Sequence, residues 1–509
     1  MTIQFLKAFL LPRILKQAER GNAHLIKMQN GWNGDVMRKR IFLILLTAFF
    51  LSGATYAQDF GFGFDDETET ISNSGRPPAV SIGGEVSAAV VAKFKDYNKD
   101  DDDNARADNI RLSDIFSGKL NFFAGVSIAE AYINLNIKPS LSPVSIDEAF
   151  LRAFFGGYEL EGGLRKITWG KADSFGPLDV INPLDYSDFT DLSNMMNFKI
   201  ARPLLRHSYR FGSFSKIELV FVPNFEPMRF AEEDKNNQEL IKHINDIKSG
   251  IKQINEILTL PYVNLAPVYF VENIPDTSTF DYAQAGLRFT TTIGPADIGI
   301  QYYYGRLTKP AVTIVYDQPS YIYEIPGIPI PKTPSSIKYS YNPYHQIGVD
   351  WAQVFFGFNV RAEFAANITE DLKGDDGGIY NPHLAWSFGF DRNLGWGLNF
   401  NFQCNQSIIL MHDKIVNDIE LDIEADTDIT STQIMASVSK MFLRDQLEIR
   451  ASIFWQIEVG DFIIIPSVAW TIDAVTVKLS GGTFGGNEDG QFGQYKGNFF
   501  IKAGLTYSF

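Results

Sequence analysis

The chain has 509 residues, of which 45% are hydrophobic, 21% charged and 14% aromatic, and it carries a formal net charge of −15 at pH 7. That acidity, with nothing resembling a basic patch or stripe, excludes a nucleic-acid partner. A single cysteine, Cys404, excludes an intramolecular disulfide framework and a cysteine-based zinc site.

In chain order, the first recognisable element starts at Met37. It has a basic start (Arg38, Lys39, Arg40), an apolar run from Ile41 to Leu51, and small residues at Thr55 and Ala57. This is the pattern of a secretory signal peptide, 37–57, with cleavage after Ala57; the run is too short for a membrane anchor. Residues 1–36 then read as a mis-called N-terminal extension, or alternatively as an unusually long leader. A short segment, 58–78, follows, and 79–509 forms one body. No run of about 20 apolar residues occurs beyond residue 57, so the exported chain is either soluble or crosses a membrane as a barrel.

From residue 79 onward the dominant signal is alternation of period two, the mark of a strand with one apolar and one polar face. In 356–366, Phe356, Phe358, Val360, Ala362, Phe364 and Ala366 oppose Asn359, Arg361 and Glu363. In 447–458, Leu447, Ile449, Ala451, Ile453, Trp455 and Ile457 oppose Glu448, Arg450, Ser452, Gln456 and Glu458. Eighteen such segments begin near 79, 117, 129, 146, 157, 204, 214, 280, 296, 345, 356, 382, 396, 432, 446, 462, 474 and 499. Their connections alternate between short turns and long loops, with Val459-Gly460-Asp461 as a short connection in a long-loop slot. The expected fold is all-β: a transmembrane up-and-down antiparallel barrel of eighteen strands, sixteen being the nearest alternative. The competing reading, a soluble sandwich or propeller, does not require two classes of connection and places its polar faces outward.

The long loops contain further signals. Loop 171–203 carries Asp173, Asp179, Asp185, Asp188 and Asp191 and reads either as a constriction folded into the lumen or as a surface loop. In loop 225–279, Leu240, Ile244, Ile247, Ile251, Ile254 and Leu258 follow heptad spacing, which predicts a short helix that caps the barrel, plugs it or contacts a neighbour. Loop 308–344 is rich in proline and tyrosine, a stiff loop or a ligand surface. The stretch 96–104 superficially matches a calcium loop but lacks its glycine and terminal glutamate, so it reads as a solvated acidic tip. The polar strand faces place Arg165, Arg210, Arg288, Arg361, Glu363, Glu448, Arg450, Lys478 and Lys502 toward the lumen, either paired across strands or protruding to set selectivity. No enzyme motif, metal site or cofactor site is present in the sequence.

The terminal segment FFIKAGLTYSF, with Phe509 last, Tyr507 two before it and apolar residues at alternate positions, resembles the last strand of Gram-negative-type outer-membrane β-barrels. The resemblance implies that Phe509 and Tyr507 are read by the barrel assembly machinery and that this strand closes the barrel on the first. A second segment, 170–189, following Trp169, is similar to one in porin-like outer-membrane families. Trp169, Gly170, Asp179, Val180, Ile181, Asn182, Pro183 and Asp185 are the matching positions. Together these resemblances imply an outer-membrane porin of a diderm bacterium such as a spirochaete. It would lie in outer-membrane lipid and pass small hydrophilic solutes, and a homotrimer is compatible with the resemblance but not demanded by any residue. The alternative is a surface-exposed adhesin or host-interaction barrel whose long loops are the functional part.

Overall fold

The computed structural model describes residues 79–94, 110–138, 143–186, 195–230, 247–253, 255–256, 271–315, 335–419, 421–488 and 490–509. The leader, the acidic tip at 96–104 and most of the proline-tyrosine stretch lie outside these residues.

Eighteen strands form the main sheet: β1 (Ala79–Phe94), β2 (Ile110–Val126), β3 (Ala129–Ile137), β4 (Val144–Phe155), β5 (Tyr158–Arg165), β6 (Arg202–Phe211), β7 (Ser215–Val222), β8 (Gln284–Ile293), β9 (Ala296–Arg306), β10 (Pro343–Phe355), β11 (Phe358–Thr369), β12 (His383–Leu394), β13 (Leu398–Ile409), β14 (Thr430–Phe442), β15 (Leu447–Gln456), β16 (Asp461–Ile472), β17 (Val475–Gly485) and β18 (Phe499–Ser508). Every neighbouring pair is antiparallel. The last strand pairs with the first, from Glu85 opposite Ser508 to Phe94 opposite Phe499, so the sheet has no edge. Closure leaves no unpaired backbone row to expose to lipid. The strand number of eighteen is therefore the observed one, and a sandwich is excluded. The chief shift in boundary is at β2, which begins at Ile110 rather than near 117, because its backbone pairs with β1 along the whole of that strand.

The faces follow the alternation. On β11, Arg361, Glu363, Asn367 and Thr369 are buried while Phe364 is exposed; Glu363 is 4% accessible and Phe364 43%. The buried polar row faces the enclosed side of the barrel and the exposed apolar row faces outward, the reverse of a soluble protein. The same inversion holds on β18, where Ile501, Ala503 and Leu505 are exposed and Lys502, Gly504 and Thr506 are partly covered. Among the short turns, Phe356 (φ 50°) and Gly357 (φ 79°) both take left-handed backbone, as a two-residue type I′ hairpin requires.

Outside the barrel, at the long-loop end, strands Val271–Asn273, Ser336–Ser340 and Ala311–Val315 form a small mixed sheet around Val312 and Ile337. The predicted helix is present at 247–253, with Ile251 buried and Lys248 2.5 Å from Glu272. Leu240, Ile244, Ile254 and Leu258 lie outside the described residues.

Candidate functional site

After β5 the chain contacts polar-face side chains of several other strands. At the base of the loop, Trp169 donates its indole N–H to Glu218 of β7 at 2.5 Å. Asn182 ties its own segment to two others, 165–167 and Ile200: its Oδ1 accepts from the Ile167 N–H at 2.7 Å, and its amide donates to the carbonyls of Arg165 at 3.0 Å and Ile200 at 2.8 Å. The Pro183 carbonyl accepts from the Ile200 N–H at 2.8 Å, and Asp179 pairs with Lys199 at 2.7 Å. Ile167, Trp169 and Ile181 pack with Leu204, Val220, Val222, Tyr303 and Tyr344, and Val180 lies against this cluster. Leu184 forms an isolated bridge with Lys199, and Asp185-Tyr186 pairs with Arg229-Phe230.

The advancing segment is held by inward side chains of one strand after another. Glu363 of β11 accepts backbone N–H groups from Lys171, from Ala172 at 2.6 Å and from Leu178 at 3.3 Å. Gly170 makes that approach possible: its φ is +97°, and a Cβ there would fall 2.2 Å from Glu363 Oε1. Asp173 pairs with Arg361 and accepts from Asn401 of β13 at 2.7 Å. Gln403 accepts from the N–H groups of Asp173 at 2.9 Å and Ser174 at 3.1 Å. Gln301 of β9 donates to the Leu178 carbonyl, and Gln346 of β10 to that of Pro177, both at 2.9 Å. Gly348 leaves the space that Leu178 fills, since a Cβ there would meet the Leu178 side chain at 2.2 Å. Arg361 is the fourth residue from the short-turn end of a 12-residue strand, so Asp173 lies toward that end of β11.

The loop also meets the far wall. Met435 of β14, Phe454 of β15, and Ile463 and Ile465 of β16 form a buried apolar patch on the enclosed face. Phe198 and, partly buried, Phe175, Leu184 and Tyr186 pack against it, together with Phe492. Asn197 receives a hydrogen bond from Lys119 of β2 at 3.5 Å. Burial moves two loop groups in the same direction: it raises the Asp173 carboxyl above its usual range, against the pull of Arg361, and it raises the Tyr186 phenol.

The sequence-predicted residues separate into two groups. On the wall from β4 to β12 they are paired. Arg165 bonds Glu161 at 3.1 Å and Glu148 at 3.0 Å, Arg210 lies 3.7 Å from Glu159, Arg288 2.6 Å from Asp350, and Arg361 2.7 Å from Asp391. Arg152, Arg206 and Lys216 extend this network through Glu161 and Glu218. On the other wall, Glu448 accepts from Arg450 at 3.0 Å, while Lys478 and Lys502 are partly exposed on the enclosed faces of β17 and β18. Asp185 lies 3.7 Å from Arg229. Asp188 and Asp191 fall outside the described residues.

Sequence reasoning missed the glutamines 301, 346 and 403 and the apolar patch. The run Phe462-Ile463-Ile464-Ile465, apolar on both faces, was the available signal: an enclosed face that breaks the polar alternation must be covered by something.

A closed eighteen-stranded antiparallel barrel with an apolar outer surface is the fold of the outer-membrane porins. No protein-family model matches the chain, and no curated protein matches its sequence. Among solved structures, it is similar to the outer-membrane channel DcaP of Acinetobacter baumannii, with 9% identity over 86% of this chain and 99% of that one and a TM-score of 0.40. It is also similar to Pseudomonas aeruginosa OccK11 (9% identity, 84% and 95% covered, TM-score 0.44) and to Salmonella typhi OmpF in complex with daunomycin (8% identity, 84% and 97% covered, TM-score 0.38). At these identities the likeness concerns the fold alone, and the organisms named give no support to a spirochaete origin.

Proposed function

We propose that this chain is an outer-membrane channel that lets small hydrophilic solutes diffuse through a charged lumen narrowed by loop 171–203. The observation that carries the reading is the set of hydrogen bonds between side chains of β9, β10, β11 and β13 and the loop backbone, with Gln301 and Gln346 donating and Glu363 and Gln403 accepting. A solute-selective pore needs such a rigid constriction, because selection depends on fixed width and fixed polar groups. Export through the 37–57 leader and delivery by the barrel assembly machinery, which would read Tyr507 and Phe509, belong to the same proposal, as does residence in outer-membrane lipid. A homotrimer is compatible with it.

The test is conductance of the purified, folded chain in planar bilayers. Discrete steps are expected, and their size should rise when residues 172–199 are replaced by a short glycine-serine link. Absence of any current would sink the channel reading. The small sheet at the long-loop end favours the adhesin alternative instead. Ligand binding that survives pore blockage but is lost on removing residues 225–279 would support it.

A further inference from the structure

Two cations stand on the outer, apolar face of the barrel. On β12 the outer row runs through Phe388 and Phe390 to Arg392: Phe388 is exposed, whereas Ser387 is buried and Asp391 pairs with Arg361 on the enclosed side. On β14 the outer row runs from Val438 to Lys440, which stands opposite Leu398 of β13 and Ile449 of β15, while Ser439 is buried. Arg392 is the third residue from the end of β12 and Lys440 the third from the end of β14, both at the short-turn end. Both head groups lean toward that edge. The Arg392 guanidinium lies over the Phe358 ring, 4.5 Å from its centroid, and reaches the β10–β11 turn, 3.7 Å from where a Cβ on Gly357 would stand. The Lys440 ammonium lies 5.0 Å from the ring centroid of Phe442, the last residue of β14. The attraction of a cation for a ring face holds each head in place.

β13 is the one strand between the two cations, which sets them on the order of 10 Å apart across the sheet. On it Phe400 stands opposite Arg392 and Leu398 opposite Lys440, and the β12–β13 turn carries the almost fully exposed Trp396. The outer rows of β11 to β15, read from the strand register, contain no aspartate or glutamate. Asp391 and Glu448 belong to the enclosed face, where they pair with Arg361 and Arg450. The β14–β15 turn adds Arg444 and Asp445, one charge of each sign. Glu458 bonds Thr430 and Thr432 at the opposite end of β14 from Lys440. A charge on the outer face of a membrane barrel is costly at the midplane and tolerated at the interface. Long side chains at the rim bring the head to the level of the lipid headgroups while the stem stays along the acyl chains.

We propose that Arg392 and Lys440 form a docking site for the phosphate group of an anionic glycerophospholipid in the leaflet at the short-turn end. The proposal rests on residence of the barrel in a membrane, part of the reading above, and is independent of conduction. The anion that a cation on the outer face meets at the hydrocarbon boundary is a headgroup phosphate. A guanidinium gives that phosphate two parallel N–H bonds, and the ammonium adds a point charge. Two cations with no carboxylate on the same face favour a headgroup of net negative charge over a zwitterion, whose own cation competes for the phosphate. Leu398 and Phe400 supply the apolar floor along which the acyl chain lies, and Trp396 stands at the turn where an amphipathic ring suits the interface.

The experiment is native mass spectrometry of the purified, folded full chain in detergent, offered equal amounts of phosphatidylglycerol and phosphatidylcholine with the same acyl chains. Severalfold more phosphatidylglycerol than phosphatidylcholine should stay bound. The preference should disappear in the double variant Arg392→Gln, Lys440→Gln. It should persist in Lys373→Gln, Lys414→Gln, which removes the same charge from exposed positions in the long loops. Folding of each variant is checked by heat-modifiable gel migration. Equal retention of the two lipids by the wild-type chain overturns the proposal. So does a preference kept by folded Arg392→Gln, Lys440→Gln, and so does an equal loss in both double variants, which would report net charge alone. The wild-type comparison needs no variant to fold. Flotation with phosphatidylcholine vesicles tests the membrane reading by itself. A chain that does not float with them sinks that reading and this inference with it, whereas a chain that floats without preferring the anionic lipid overturns only this inference.

Discussion

At the scale of single residues, the enclosed side of the barrel is organised by side chains that accept or donate to loop backbone, and Glu363 is the principal one. Its carboxylate takes three N–H groups from one turn of the loop. Glu363→Ala would leave those donors buried without an acceptor, weakening loop docking by on the order of 3 kcal/mol. Faster hydrogen exchange at 171–178 is expected, along with noisier single-channel current, while the barrel still migrates as folded. A second contrast tests the facing of β18. Leu505 is exposed on the outer face, and Leu505→Arg should cost about 2–4 kcal/mol near the membrane midplane, less toward either surface. Lys502→Gln, on the enclosed side, should leave folding nearly unchanged and act on selectivity. Equal loss of folded barrel in both variants would contradict the assignment.

At the scale of elements, the described residues of loop 171–203 contact polar side chains of β9, β10, β11 and β13 on one side and the apolar patch of Met435, Phe454, Ile463 and Ile465 on the other. Removing residues 172–199 should therefore do more than widen the lumen. It should expose that patch to water and lower the unfolding temperature, and the loss should be reduced when Ile463 and Ile465 are also replaced by threonine. The connection between β15 and β16 makes a separate prediction. Burial opposes ionisation of Glu458, but hydrogen bonds from the Thr432 hydroxyl (2.6 Å), its backbone N–H (2.6 Å) and the Thr430 hydroxyl (2.8 Å) outweigh it and lower the carboxyl's pKa. A lowered folded-state pKa stabilises the fold above the ordinary glutamate value, and that contribution disappears as pH falls through the lowered one. Glu458→Gln should destabilise this rim at neutral pH and become indistinguishable from wild type in strong acid, as read by thermal unfolding across pH.

At the scale of the whole molecule, closure of β18 on β1 decides that this is a barrel. Ser87 and Thr506 face one another across that seam with their hydroxyl oxygens 2.8 Å apart. Cysteines at these two positions, in a Cys404→Ser background, should form a disulfide on mild oxidation, detectable as a mobility shift of the fully denatured chain that reductant reverses. No cross-link in folded protein would break the closure. Much of this scale was legible from the alternation and from the two classes of connection, because a strand between lipid and an aqueous interior must sort its side chains residue by residue. The Trp169-Gly170 and Asp179 to Asp185 segment was legible as a unit too: Asn182 bonds Arg165 and Ile200, and Asp179 bonds Lys199, all within a short stretch of chain. The partners of the loop tip were not legible. Glu363, Gln403 and Gln346 lie roughly 170 to 230 positions away from the residues they hold, and strand periodicity places them on a face without saying what meets them there.

The sequence by itself determined that the chain is built of alternating strands, about eighteen of them, and which face of each is apolar, since these follow from local patterning over ten or so residues. Only the tertiary structure decided that Glu363, Gln403, Gln301 and Gln346 bond the backbone of residues 171–178, and that the cations and carboxylates from β4 to β12 pair with one another. The physical reason is that charge balance and loop docking are properties of which strands become neighbours around a closed ring.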